Sequence, residues 1–290
     1  MPYIERLADH WGELCASQPV ASEWADRLLG ITRLALDPDK TRRGYFHGTS
    51  ACLSALFRAE RYVEIVDLLK TDTIWPDRRW AVMALAAMGR KSEAVRYAES
   101  CRGSWTPDGG VDAICEEILL SSGLVEEAYA RYGLGANRGP TYLASFRAVT
   151  KKYPHKAAAC VLNDLVATTP GEEGKWFAAA KDARLYDEAI ALAGRAPCDP
   201  RTLTRDARDY AEKLPEFATE AGLLALHWLV QGQAYEITGA EVRAAYSSAI
   251  NAAERAGRLA KAQTRVRQIV AIGAPGGFVS KILGQVIEVR

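Results

Sequence analysis

The chain has 290 residues, 49% of them hydrophobic and 25% charged, a composition that excludes wholesale disorder. Its 37 Lys and Arg against 36 Asp and Glu leave a net charge of +1, so no global attraction to nucleic acid or to an anionic membrane is built in. The longest apolar run, Ala221 to Val230 broken only by His227, is far short of the roughly 20 residues that span a bilayer.

Taken in chain order, residues 1–57 are expected to form N-terminal capping helices. Charges at Glu5, Arg6, Asp9 and Glu13 do not suit a secretory leader, and the expected location is the cytoplasm. His10 and Glu13 lie one helical turn apart, a spacing open to two metal ligands, but no third ligand is evident. No metal and no other cofactor is expected. Lys40, Arg42 and Arg43, with His47, precede a helix expected near Tyr45. They could form an anion site at its N-terminus; a solvated loop is the simpler expectation.

From residue 58 onward helical periodicity dominates. In Leu185 to Ala193 apolar residues recur at the i, i+4, i+7 spacing of one helical stripe. Gly89, Gly123, Gly194, Gly232 and Gly257 fall where helices should end and would supply a left-handed residue at the C-terminus. Thr169-Pro170-Gly171-Glu172 has the form of a capping box, with Thr169 accepting from the backbone at Glu172. Gly171 to Lys175 superficially looks like a phosphate loop. Its glycine spacing is wrong, Trp176 follows the Lys and no strand precedes it, so a helix start is preferred. Asp199-Pro200 offers a further cap-then-Pro entry.

The chain also repeats itself. Arg61 to Ile65, Gly89 to Ala94, Gly123 to Ala128, Arg184 to Ala189 and, more weakly, Gly257 to Ala262 align, ending at 65, 94, 128, 189 and 262. The steps are 29, 34, 61 and 73. A further copy, Tyr153 to Ala158, would split the step of 61. A period of roughly 30 to 36 residues holding two helices is the mark of helix-hairpin arrays.

Gly89-Arg90-Lys91-Ser92-Glu93-Ala94, followed by Tyr97, Ala98 and Cys101 in packing positions, resembles the start of the second helix in a tetratricopeptide repeat. The likeness covers about residues 58–196, and 240–272 more weakly. Taken whole, the chain also resembles bacterial proteins with no assigned role. The resemblance implies an all-α fold, an α-solenoid of stacked helix hairpins with degenerate repeats. The whole of 1–290 would be one elongated domain, with 58–196 the best repeats and 197–290 weaker repeats and a C-terminal cap.

Chemistry-bearing clusters are few. The six cysteines are scattered without a Cys-x-x-Cys pair, which reads as reduced thiols serving as small hydrophobes. His227 sits in an apolar stretch and reads as a core or groove residue. Glu116-Glu117 and Asp187-Glu188 are acid pairs, but neighbours on a helix point about 100° apart. Arg201, Arg205 and Arg208 share one helix face with Asp206 and Asp209 interleaved, for which local ion pairing is expected. Arg78-Arg79-Trp80 and Lys175-Trp176 could make a groove sticky through cation–π contacts.

If the first helix of each hairpin lines a concave surface, these helices begin near Arg78, Gly110, Pro140, Gly171 and Arg201. Arg78, Arg79, Glu116, Tyr142, Arg147, Lys175 and Arg205 would then face a groove. The expected function is a protein-interaction scaffold or regulatory adaptor, not an enzyme, binding a peptide or partner domain. Single-stranded nucleic acid is the alternative, against which the balanced charge speaks, and an unrecognised groove enzyme is the third. The exposed end of the array leaves room for a homo-oligomer.

Overall fold

The computed structural model describes residues 7–39, 41, 44–103, 106, 108–234, 236–273 and 277–288, and every regular element among them is helical. None of these helices is long and apolar enough to cross a membrane. The chain divides into two compact units, Met1–Arg138 and Gly139–Arg290.

In the first unit residues 7–9 are helical, followed by α1 (Trp11–Leu14), α2 (Gln18–Ala35), α3 (Thr49–Arg58), α4 (Tyr62–Leu68), α5 (Trp75–Ala87), α6 (Lys91–Ser100) and α7 (Asp108–Leu120). Then α8 (Val125–Ala128) widens into a π turn, Tyr129–Gly133, and ends as α9 (Leu134–Ala136). The second unit holds α10 (Tyr142–Lys152), α11 (Ala158–Ala167), a 3₁₀ turn at Glu173–Trp176, α12 (Phe177–Asp182) and α13 (Tyr186–Arg195). It closes with α14 (Pro200–Asp209), α15 (Pro215–Val230), α16 (Gly239–Arg255), α17 (Leu259–Ile272) and α18 (Phe278–Glu288).

The sequence repeat corresponds to one recurring turn. At Glu60, Gly89, Gly123, Arg184 and Gly257 the backbone is left-handed, with φ of 60, 80, 76, 59 and 66°. The next residue's N–H donates back five positions each time: Arg61 to Leu56, Arg90 to Leu85, Leu124 to Leu119, Leu185 to Ala180 and Arg258 to Ala253. This Schellman closure satisfies carbonyls at the end of one helix and aims the chain into the next. The last residue of each repeat copy is then buried: Ile65, Ala94, Ala128 and Ala189 are 0% exposed and Ala262 is 2%. A small residue there lets the new helix lie close to its neighbour.

The copy expected at Tyr153 to Ala158 does not form this turn. Pro154 occupies the place whose N–H must donate back, and proline has none. Tyr153 instead ends α10 with φ of −119° and ψ of 63° and is completely buried, while α11 starts at Ala158. Two further expectations also fail locally. Gly194 lies inside α13 rather than beyond its end. Thr169 makes no capping box, because its hydroxyl accepts from the Trp176 indole at 2.8 Å. A capping box does form at Thr238 and Glu241, and Asp199 caps α14 through the N–H groups of Arg201 and Thr202.

Helices pack on their chain neighbours and on the next but one. In the first unit α3 touches α2, α4 and α5, and α5 touches α4, α6 and α7. In the second, α15 touches α13, α14, α16, α17 and α18. Its contact with α16 is tight: a Cβ on Gly222 would lie 2.7 Å from the Ala249 Cα. In the first unit the cores run from Leu53, Leu56 and Ile65 to Val82, Val111 and Cys115. Cys15, Cys52, Cys101, Cys115 and Cys198 are buried, Cys160 is exposed and all six are free. Burial pushes the Cys115 thiol up to about 11 and Cys198 up to about 12, as expected for thiols that act as apolar packing groups.

Candidate ligand-binding cleft

Of the seven residues expected to face a groove, three lie in the first unit, and all three are engaged by the fold. Arg78 donates to the Tyr97 hydroxyl at 3.2 Å and lies over its ring. Arg79 pairs with Asp9 at 2.6 Å. Glu116 is 0% exposed and accepts from the Asn137 amide at 2.7 Å, so it presents nothing to a ligand at the surface. The sequence places it on the correct helix, but its face is decided by how α7 packs.

The other four lie in the second unit. Tyr142 donates to Glu172, which also takes the Lys175 ammonium at 2.5 Å. Trp176 is buried edge-on against Tyr142, and Lys175 approaches the Tyr142 ring rather than its neighbour Trp176. Arg147 clamps Asp182 through two hydrogen bonds of 3.0 and 2.5 Å. Arg205 is exposed and, among the described residues, has no ion-pair or hydrogen-bond partner.

Arg205 stands at the edge of a cleft of 720 Å³ formed by α10, α12, α14 and the loops at 184–186 and 210–214. Five cations line it: Arg147, Lys181, Arg184, Arg205 and Lys213. Two are neutralised from within. Arg147 is held by Asp182, and Lys181 by both oxygens of Asp206 at 2.8 and 2.7 Å, with Asp206 only 2% exposed. Arg184, Arg205 and Lys213 have no such partner among the described residues. The cleft therefore carries a local excess of three positive charges in a chain whose net charge is +1.

Backbone geometry points to the same place. Among the described residues Arg184 is one of two non-glycine residues in the left-handed region, where a side chain is uncommon. Three of the five equivalent turns use glycine. Here the turn carries an exposed guanidinium into the cleft instead. A neighbouring cleft of 630 Å³ shares Arg184, Tyr186, Lys213 and Leu214 with the first, but Asp187, Glu188 and Glu216 also line it, so the excess of positive charge belongs to the first cleft alone.

The aromatic floor of the cleft is occupied by its own packing. Tyr186 and Tyr210 lie 5.1 and 5.5 Å from Phe217, and Lys181 sits over the Tyr210 ring at 5.6 Å. Both rings are thus engaged by the protein's own side chains.

Arg184, Lys181 and Lys213 were not among the sequence-based groove residues. The available signal was Arg184 standing where other copies of the repeat have glycine; nothing in the local sequence marks Lys213. Lys40, Arg42, Arg43 and Trp105 lie outside the described residues. His10 pairs with Glu13 at 3.1 Å in the open, and no group of three metal-ligating side chains occurs among the described residues. His227 is half-buried against Trp228, and burial lowers its pKa. Comparison with family models, curated proteins and solved structures finds no match to this chain.

Proposed function

We propose that the protein is a tetratricopeptide-like helical-repeat module that binds an acidic peptide segment of a partner protein, acting as an adaptor or regulatory subunit. The observation that carries this reading is the trio Arg184, Arg205 and Lys213, three cations without an internal partner around one cleft. Carboxylates of an extended segment would supply the missing counter-charges through charge-assisted hydrogen bonds. The recurring Schellman turns and the packing of helices on near neighbours in the chain support the repeat architecture. Six free cysteines suit a reducing compartment such as the cytoplasm,.

Single-stranded nucleic acid is the weaker reading. Such ligands need open aromatic faces for bases to stack on, and the Tyr186 and Tyr210 rings are engaged by Phe217 and Lys181. The test is fluorescence anisotropy with a labelled oligo-glutamate peptide, an oligo-lysine control and a labelled oligonucleotide pool, at low and moderate salt. The acidic peptide should bind, weaken with salt, and be lost in the Arg184→Ala/Arg205→Ala/Lys213→Ala variant. Equal binding by that variant, or binding of the oligonucleotide alone, would overturn the peptide reading.

A further inference from the structure

Helix α14 has two faces with different fates. Leu203, Asp206 and Ala207 are buried, while Arg201, Arg205 and Arg208 recur one helical turn apart on an exposed stripe. This stripe borders a separate cavity of 210 Å³ between α14, α15 and α16, with Pro200, Leu229 and Ala244 among its walls. The lining is mostly apolar, and an apolar cavity of about 150 Å³ is already enough to hold a benzene ring.

The charges at its rim do not cancel. Arg201 is paired with Glu241 at 2.6 Å, and that carboxylate is itself anchored by the capping box at Thr238. Arg208 is paired with Asp209 at 2.9 Å. Arg205 has no counter-ion among the described residues. The arrangement is an apolar cavity with one uncompensated guanidinium at its edge. A neutral apolar molecule would fill the cavity and cover Arg205 without pairing it. A bare anion would pair Arg205 and leave the cavity unused.

We propose that this cavity is a binding site for a small apolar carboxylate, a branched-chain or aryl carboxylic acid whose hydrocarbon body lies against Leu229 and Ala244 and whose carboxylate meets Arg205. Arginine suits this role because its planar guanidinium can grip a carboxylate by two parallel hydrogen bonds. The proposal does not depend on the peptide reading. It meets that reading at Arg205, which borders both the cavity and the larger cleft, so occupancy of the cavity would compete with an acidic peptide for one cation.

The test is a titration of ¹⁵N-labelled protein, followed by amide shifts, with 4-methylpentanoate and phenylacetate. 4-Methylpentanamide serves as the uncharged control and acetate as the control without a body. Saturable shifts clustered at residues 200–208 and 241–248 are expected for the two acids. Affinity for the amide and for acetate should be lower by about tenfold or more. Arg205→Gln should weaken the acids by about tenfold, and Ala244→Leu, which fills the cavity but keeps Arg205, should abolish binding. Unchanged melting temperatures would show that both variants fold. A variant that melts early is replaced by Arg205→Lys, which keeps the charge and should bind at an intermediate level. No saturable shift, equal binding of acid and amide, or shifts elsewhere would overturn the proposal. Acids that bind while the oligo-glutamate peptide does not would sink the peptide reading alone, and the reverse result would sink this one alone.

Discussion

Two arginines show how differently the units use the same residue. In the first, Arg102 lies between two acids, donating to Glu99 at 2.6 Å and pairing with Asp112. The π turn at Tyr129–Gly133 brings Tyr132 to the same carboxylate at 2.5 Å, completing a network with little left to offer a ligand. In the second, Arg205 stands on a helix that also carries Asp206 and Asp209 and pairs with neither. Asp206 turns inward to Lys181, and Asp209 is taken by Arg208. A balanced formal charge thus conceals an arginine held between carboxylates in one unit and an unpaired one in the other. A cation becomes available when the acids beside it are committed to other groups.

The comparison is broken most severely at Lys181 and Asp206. Asp206→Asn should cost about 3 kcal/mol, because it leaves the Lys181 charge enclosed with no opposite charge. The double replacement Lys181→Met/Asp206→Leu should recover most of that loss, since an apolar pair of similar volume avoids the desolvation penalty. Urea unfolding of both variants measures the difference, and a double variant no more stable than the single would contradict the argument.

Arg102→Met tests the first unit and should lower stability by about 2 kcal/mol, the scale of hydrogen bonds made to charged groups. Arg205→Gln, read by the same unfolding curves, should stay within about 0.5 kcal/mol of the parent, as for an exposed residue without partners. Similar losses in the two variants would erase the contrast between the units.

A dependence on pH is expected at Glu99. The Arg102 hydrogen bond, working against burial and helped by Tyr132, holds the Glu99 carboxyl below its usual 4.5. A group whose folded pKa is depressed stabilises the fold above its unfolded pKa and loses that contribution as pH falls through the folded value. The parent should therefore be more stable than Glu99→Gln near neutrality, and the gap should close as pH drops below 4.5,. A constant gap across that window would show that Glu99 acts through packing rather than charge.

How much of this was legible in the sequence depended on the range of the interaction. The repeat register at Gly89 to Ala94 could be read because its turn closes through bonds among residues a few places apart, and because the apolar residue that follows, alanine in all copies but that of Ile65, is buried in every copy that forms the turn. The copy at Tyr153 was misread for an equally local reason, since Pro154 removes the one N–H on which the closure depends. Glu116 was assigned to a groove because it lies on the first helix of a hairpin, which was expected to line a concave surface. Its burial depends on Asn137, 21 residues away, and on a helix path altered by the π turn. Arg205 was expected to pair locally with the acids on its own helix, and among the described residues it does not, because Asp206 turns to Lys181 and Asp209 to Arg208.

The helices, their turns and the buried position that follows each turn were determined by the sequence itself, since hydrogen bonds spanning three to five residues need only the right residue at the right spacing. The tertiary structure decided which charges are spent. Lys181 finds Asp206 across 25 residues, Arg147 finds Asp182 across 35 and Arg79 finds Asp9 across 70. Such pairs depend on which helix faces come together, and that is set by the packing of whole helices rather than by the residues beside each charge. Among the cations without such a partner, Arg184, Arg205 and Lys213 are the ones that line the candidate cleft, and their availability shows only once the long-range pairings have been made.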